Sequence, residues 1–336
     1  MKWGAGSGRR LMGALPPALR TAEPLSRLTS LKVGGPADFF LASTSWSAIE
    51  EALAWAVARE LPATVLGGGS NLLVSDEGVA GLVMRPLAKG VVWPTPEQPW
   101  VIAEAGLSLP ALARSLAKKG WSGLEWAANV PGSVGGAVTN NAGAFGSCVA
   151  EHLIWLEIIP AASKPETATG PGRRRVLRTV ELRYAYRTSL LKQRELETVC
   201  VTRAAFALEP ERPEVAVETV TRFQRQRSAT QPRENSAGSV FANPEAGYAG
   251  RLIEQCGLKG TRRGGAEISI RHSNFIVNHG GATARDVLAL IQMVQRAVWQ
   301  EQGVWLQPEI ELVGRWTEAD RQAVLEPRTL GAGVST

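Results

Sequence analysis

The stretch 129-NVPGSVGGAVTNNAGAFG-146 decides how this chain is read. Glycine has no Cβ, so a glycine-rich backbone can approach a ligand closely and turn its amide N–H groups onto phosphate oxygens. A second such loop, 66-LGGGSNLL-73, lies about sixty residues upstream and follows the short apolar run Ala63–Leu66. Neither loop continues into Gly-Lys-Ser/Thr, so neither is a Walker A loop. Neither sets GxGxxG between a strand and a helix, so a Rossmann dinucleotide site is not indicated. Tight turns are one reading of such loops, but two long loops with Ser70, Asn71, Ser133, Asn140 and Asn141 among the glycines favour pyrophosphate binding.

Around the first loop, Pro36 to Pro86 reads as a βαβ-type unit. Ser47 and Glu50 have capping-box spacing, and Ile49, Leu53 and Val57 share one side of a helix running through Ala58. Gly81 to Met84 is a further apolar strand. Ahead of the second loop, Trp100 to Glu104 predicts a strand, and Ser108 caps a helix carrying Leu109, Leu112 and Leu116 that ends at Gly120. Strands are expected at Leu153–Ile159, Val176–Leu182 and Thr198–Leu208. The Pro, Gly and Ala-rich stretch Pro160–Arg175 is expected to be an exposed hairpin loop. Pro210 and Pro213 mark a boundary. Beyond it come a helix near Val215–Arg227, an extended loop to Ser239, a helix near Ala249–Cys256 and a strand at Asn274–Asn278. The last helix, Thr283 to Gln302, has Thr283 and Asp286 at its start, Val287, Ile291, Val294 and Val298 on its apolar face, and Gly303 at its stop.

The fold class is therefore α+β. The expected divisions are a disordered tail over 1–20, two subdomains over 21–86 and 87–210, a C-terminal domain over 211–316 and a loose tail over 317–336. The 336 residues carry 44% hydrophobic and 20% charged side chains, ordinary for a soluble globular protein, and no apolar run approaches membrane-spanning length. The net charge of +6 is scattered apart from Arg173–Arg175 and Arg262–Arg263, so a phosphorylated small molecule is the expected partner and nucleic acid is not. Cys148, Cys200 and Cys256 are odd in number and far apart, and His152, His272 and His279 have no ligand spacing. The chain should be cytoplasmic, with neither a disulfide framework nor a metal.

Read together and in order, VGGPA (33–37), LGGGSNLL (66–73), PGSVGGAVTNNAGAFG (131–146), YRTSLL (186–191), SAGSVFANP (236–244), HSNFIVN (272–278) and PEIELVG (308–314) resemble the UDP-N-acetylenolpyruvoylglucosamine reductases, across residues 25–314. The glycine loops alone mark only the wider group of PCMH-type FAD-binding folds. The resemblance implies a two-part FAD-binding domain followed by a smaller α+β substrate-binding domain that closes over a UDP-sugar enolpyruvyl substrate. It implies a monomer with non-covalent FAD, since neither glycine loop contains His or Cys, and NADPH as hydride donor. The cofactor would contact Gly67, Gly68, Gly69, Ser70, Asn71, Leu72, Gly132, Ser133, Val134, Gly135, Gly136, Asn140, Ala142 and Gly143. By similarity Ser239 is the proton donor, and Arg187 and Glu309 act on the substrate carboxylate and the enol-like intermediate. Tyr186, Arg227, Asn243 and Arg271 are the implied substrate-binding residues. The chain departs from the family pattern at Ala242, often Lys, at Asn235, often Pro, and at Gln307, often Glu. It has no counterpart of the inserted loop bearing a substrate-clamping tyrosine, which makes it the shorter-loop type. The alternative is a PCMH-type flavin oxidase of a sugar or alcohol, which the C-terminal motifs disfavour.

Overall fold

Arg20–Pro24, Pro36–Ser43, Val79–Pro86 and Ala63–Val65 form, in that spatial order, the first sheet of this computed structural model, which describes residues 16–160, 174–193 and 199–325. The first pair is antiparallel and the other two are parallel. Val79–Pro86 is almost wholly buried, as its apolar run requires of a strand covered on both faces. Helix α1 (Trp46–Val57) lays Ile49, Ala52, Leu53 and Ala56 against this sheet, in one cluster with Leu41, Leu82 and Met84. Its cap is Ser45, whose Oγ accepts from the amide of Ala48. Ser47 stands inside the first turn, and Val57 is not part of the buried face.

A second, five-stranded sheet is antiparallel throughout, in the order Arg175–Arg178, Leu153–Pro160, Val199–Ala207, Trp100–Glu104, Val91–Val92. Helix α2 (Leu109–Lys118) starts at Ser108, whose Oγ accepts from Ala111 N. It buries Leu109, Leu112, Ala113, Leu116 and Ala117, and Gly120 follows it with φ +80°. The expected strand Val176–Leu182 is half right: beyond Arg178 the chain turns into a 3-10 helix, Thr179–Leu182, where the Glu181 carboxylate accepts from the Arg178 amide. The expected hairpin loop falls mostly at 161–173, outside the described residues. Within the second glycine-rich stretch a short helix forms, α3 (Val134–Thr139), and another, α4 (Val149–His152), follows it.

Helix α5 (Pro213–Thr230) packs back onto this unit, its buried Ala216 and Val220 joining Leu112, Leu116 and Phe206 in one core. The last sheet runs Asn235–Ser239, Phe275–Asn278, Ala266–Ile268, Arg262–Arg263. Residues 235–239, read from sequence as loop, therefore form a strand, with a register shift between Ser236 and Ser239 that the small SAGS residues accommodate. Helices α6 (Ala249–Gln255) and α7 (Ala284–Gln302) cover it. In α7 Thr283 and Asp286 form a capping box, Val287, Ile291, Val294 and Val298 are buried, and Gly303 closes the helix at φ +68°.

The chain then returns to the first unit, where Glu311–Val313 pairs in parallel with Leu72–Val74 beside the first glycine loop. Where a loose tail was expected, α8 (Glu318–Leu325) buries Val324. At the other end Leu19 is buried and Arg20 already belongs to a strand. Among the described residues no helix is long and apolar enough to cross a membrane.

Candidate active site

The two glycine loops face each other across one side of a cavity of about 540 Å³, a size suited to a large organic ligand. They are in direct backbone contact. A Cβ on Gly68 would lie 2.7 Å from Gly132 Cα and 3.1 Å from Ser133 N, so no side chain fits between the loops. Ser70 Oγ donates to the Pro131 carbonyl at 3.0 Å and locks one loop to the other. Ser133 Oγ accepts from Gly136 N and starts α3. Among the described residues no acceptor is found for the amide N–H groups of Gly67, Gly68, Ser70 and Asn71. A cradle of unpaired N–H groups on a glycine-rich backbone fits a pyrophosphate, and the apolar wall of Ala142, Ala144, Val199 and Val201 fits the flat rings of a flavin dinucleotide.

Of the implied cofactor residues, Gly67 to Leu72, Gly132, Ser133, Gly135, Gly136, Asn140, Ala142 and Gly143 line the cavity. Val134 does not. Its side chain is fully buried in the core and its amide donates to the Leu107 carbonyl, so it shapes the loop from behind. The Asn71 side chain donates to the Glu309 carbonyl at 3.0 Å and to Asn140 Oδ1 at 3.4 Å. It thus joins both glycine loops to the C-terminal segment.

Opposite the loops stands the segment 184–192. It is pinned to the second glycine loop by Tyr184 Oη on the Val138 carbonyl, Ser189 Oγ on the Thr139 carbonyl and Asn141 Nδ2 on the Ala185 carbonyl. Arg187 takes φ +56°, rare for a non-glycine residue. This turns its guanidinium inward, where Nη2 donates to the Gly143 carbonyl at 2.6 Å and Nε pairs with Glu309 Oε1 at 2.7 Å. Tyr186 is exposed at the cavity's edge, with the Arg187 guanidinium 5.3 Å from its ring centre.

Glu309 is placed by backbone pairing. Its amide donates to the Val240 carbonyl at 2.7 Å, and Asn274 holds Phe241 by both amide and carbonyl, so PEIE and GSVF are locked side by side. Ser239 and Asn243, from that second segment, also line the cavity. Asn243 spends its Oδ1 on the amide of Ala249. Burial pushes the Glu309 carboxyl above the ordinary carboxylate range, while the cations of Arg187 and Lys192 pull it back. Arg227, from the last turns of α5, reaches the cavity wall. Burial lowers its guanidinium from the usual arginine range, and no partner for that guanidinium is found among the described residues. A cation in that position suits an anionic ligand.

Arg271 is not brought into the site. Its Nη2 donates to the Ser228 and Ala229 carbonyls, closing the C-terminal end of α5. A lysine missed at the sequence level, Lys192, does line the cavity. The signal available was its place directly after YRTSLL.

The fold and the cavity define a flavin-dinucleotide protein whose C-terminal domain closes one side of the cofactor cavity. Family models agree on both parts: one described as FAD binding domain matches residues 37–167, and one described as UDP-N-acetylenolpyruvoylglucosamine reductase, C-terminal domain matches residues 231–313. UDP-N-acetylenolpyruvoylglucosamine reductase of Synechococcus sp. (strain RCC307) is 44% identical over 310 residues, covering 91% of this chain and 97% of its own. That of Chloroflexus aggregans is 41% identical, over 89% of this chain and 99% of its own. The crystal structure of the Thermus caldophilus reductase superposes with a TM-score of 0.70 at 36% identity, covering 88% of this chain and 98% of that one. The chain belongs to the UDP-N-acetylenolpyruvoylglucosamine reductase family.

Proposed function

We propose that this protein reduces UDP-N-acetylglucosamine enolpyruvate to UDP-N-acetylmuramate with NADPH, a step in building a peptidoglycan precursor. The observation that carries the reading is the meeting, in one cavity, of the glycine cradle with Arg187, Glu309 and Ser239. FAD held by that cradle would supply hydride transfer from NADPH to the enol ether. The rest belongs to the side chains. A hydride added to the terminal enolpyruvyl carbon leaves negative charge spread over the adjacent carbon and its carboxylate. That charge has to be stabilised and then quenched by one proton.

Arg187 is suited to hold the carboxylate, because its guanidinium is fixed between Gly143 and Glu309 and needs little reorganisation. Glu309, with its proton affinity raised by burial, is suited to donate a hydrogen bond to the enol-like oxygen once the substrate's own negative charge arrives. Ser239 lines the same cavity and delivers the proton to the adjacent carbon. Arg227 and the amide of Asn243 face the UDP moiety, with Tyr186 at the rim. The cavity is complete within one chain, so we assign the activity to a monomer acting in the cytoplasm, where its nucleotide partners occur.

The test is an anaerobic visible spectrum of the FAD-loaded protein. Bleaching by NADPH, then return of the colour on adding UDP-N-acetylglucosamine enolpyruvate, is the expected result. Colour restored by oxygen alone would make the protein an oxidase and end this reading.

A further inference from the structure

Lys192 belongs to neither glycine loop and has no part in the reduction as described above, yet it stands in the cavity. Its place is built. The Lys192 amide donates to Ser189 Oγ at 3.2 Å, and Ser189 in turn donates to the Thr139 carbonyl at the end of α3. From that anchor the side chain folds back over five residues, and Nζ donates to the Arg187 carbonyl at 2.9 Å. Arg187 is the residue held at φ +56°, a conformation that side chains other than glycine rarely adopt. Such a conformation persists only where neighbours impose it. A charge-assisted hydrogen bond on its carbonyl is one such restraint.

We propose that Lys192 is a positioning residue of this site: its ammonium holds the left-handed backbone of Arg187, so that the guanidinium meets Glu309, and sets the electrostatic balance under which Glu309 gains and loses its proton. The inference rests on the roles given above to Arg187 and Glu309. The charged groups facing Glu309 are Arg187 and Lys192, and those facing Lys192 are Glu309, Glu311 and Arg187. Burial lowers the Lys192 ammonium from the usual lysine range, and the two carboxylates oppose that, so the charge is held by its surroundings. The sign at Glu309 follows. A neighbouring cation favours the carboxylate, so its removal must move the titration of Glu309 to higher pH.

The experiment is carbon NMR of protein labelled at the glutamate side-chain carboxyls, with the Glu309 signal assigned as the one lost in Glu309→Gln. In Lys192→Met, Glu309 is expected to titrate at higher pH than in the wild type. In Lys192→Arg it should stay near the wild-type position. Lys192→Gln keeps a donor without the charge and serves if Lys192→Met does not fold. In parallel, reoxidation of the NADPH-reduced enzyme by UDP-N-acetylglucosamine enolpyruvate should slow by roughly 100-fold in Lys192→Met, the scale of a small misplacement at a reacting centre. Glu309 titrating in both uncharged variants where the wild type does would overturn the proposal, and so would an unchanged reoxidation rate. If the wild type is never reoxidised by the enol ether, the substrate reading fails, and the titration still decides the role of Lys192.

Discussion

Ser239 is the side chain whose chemistry separates the two halves of the proposed reaction. It is half-buried, it lines the cavity, and its neighbours are held by Asn274 and by the pairing of Val240 with Glu309. A hydroxyl that delivers a proton after hydride transfer has no work to do while NADPH reduces the flavin. Ser239→Ala is therefore expected to leave reduction by NADPH near the wild-type rate and to slow reoxidation by the enol ether by roughly 10²–10⁴-fold, the usual worth of a positioned acid. Anaerobic stopped-flow absorbance resolves the two steps, and equal slowing of both would remove Ser239 from the proton-donor role. At this scale the sequence was legible mainly through ordered motifs. Nothing physical in SAGS or YRTS alone distinguishes a proton donor from a turn residue. Val134 shows why a motif overreaches: alternate residues of a ligand-binding loop turn inward to fill the core, and this one does. Arg271 shows the same for charge, because the carbonyls it satisfies lie on a helix more than forty residues away.

At the scale of elements, helices were the most legible part. Their caps and periodicity are local, so Ser108, Thr283, Asp286 and Gly303 act as their spacing requires. The errors arose where two local signals compete. Ser45 and Ser47 both precede apolar spacing, and only the chain's exit from the preceding strand selects Ser45. The strand Asn235–Ser239 has almost no side-chain pattern of its own, and its partner Phe275–Asn278 supplies the pairing. The glycine loops make a sharper prediction. Gly68→Ala would drive a Cβ to within 2.7 Å of the Gly132 backbone, and neither loop has a flexible side-chain end there to yield. The loops must part, and the N–H cradle parts with them. The expected result is a folded protein, with unchanged far-ultraviolet circular dichroism, whose FAD affinity falls at least about tenfold, or ~1.4 kcal/mol. Purification of the variant with a full complement of flavin would show that loop contact does not shape the cradle.

The whole molecule depends on ties that no local pattern announces. The C-terminal segment returns to the first domain through the parallel pairing at Glu311–Val313, and Asn278 Nδ2 reaches the Leu31 carbonyl. Asp76, in the turn between the strands Leu72–Val74 and Val79–Pro86, accepts from the amides of Ala284 and Arg285 at 2.8 and 3.0 Å. Those are N–H groups of the first turn of α7, which have no partner within their helix and sit at its positive end. One carboxylate thus completes the start of the C-terminal domain's longest helix from across the domain boundary. Removing it strands two donors and one helix-dipole contact, worth about 1–3 kcal/mol together. Asp76→Ala should therefore lower the urea midpoint of the C-terminal domain, followed by tryptophan fluorescence, while Asp76→Asn, which keeps one acceptor, should fall between. Asn71 joins the cradle to the Glu309 backbone, so weaker docking should also be felt at the flavin. FAD stabilises the folded state by RT ln(1 + [L]/Kd), about 2.7 kcal/mol at a hundredfold excess over Kd. In Asp76→Ala the rise in melting temperature produced by a fixed FAD concentration should shrink. If that rise stays at its wild-type size while the urea midpoint falls, the two domains are held together at α7 without that contact reaching the cofactor cavity, and the coupling runs through other ties, Asn71 and the parallel strand pair among them.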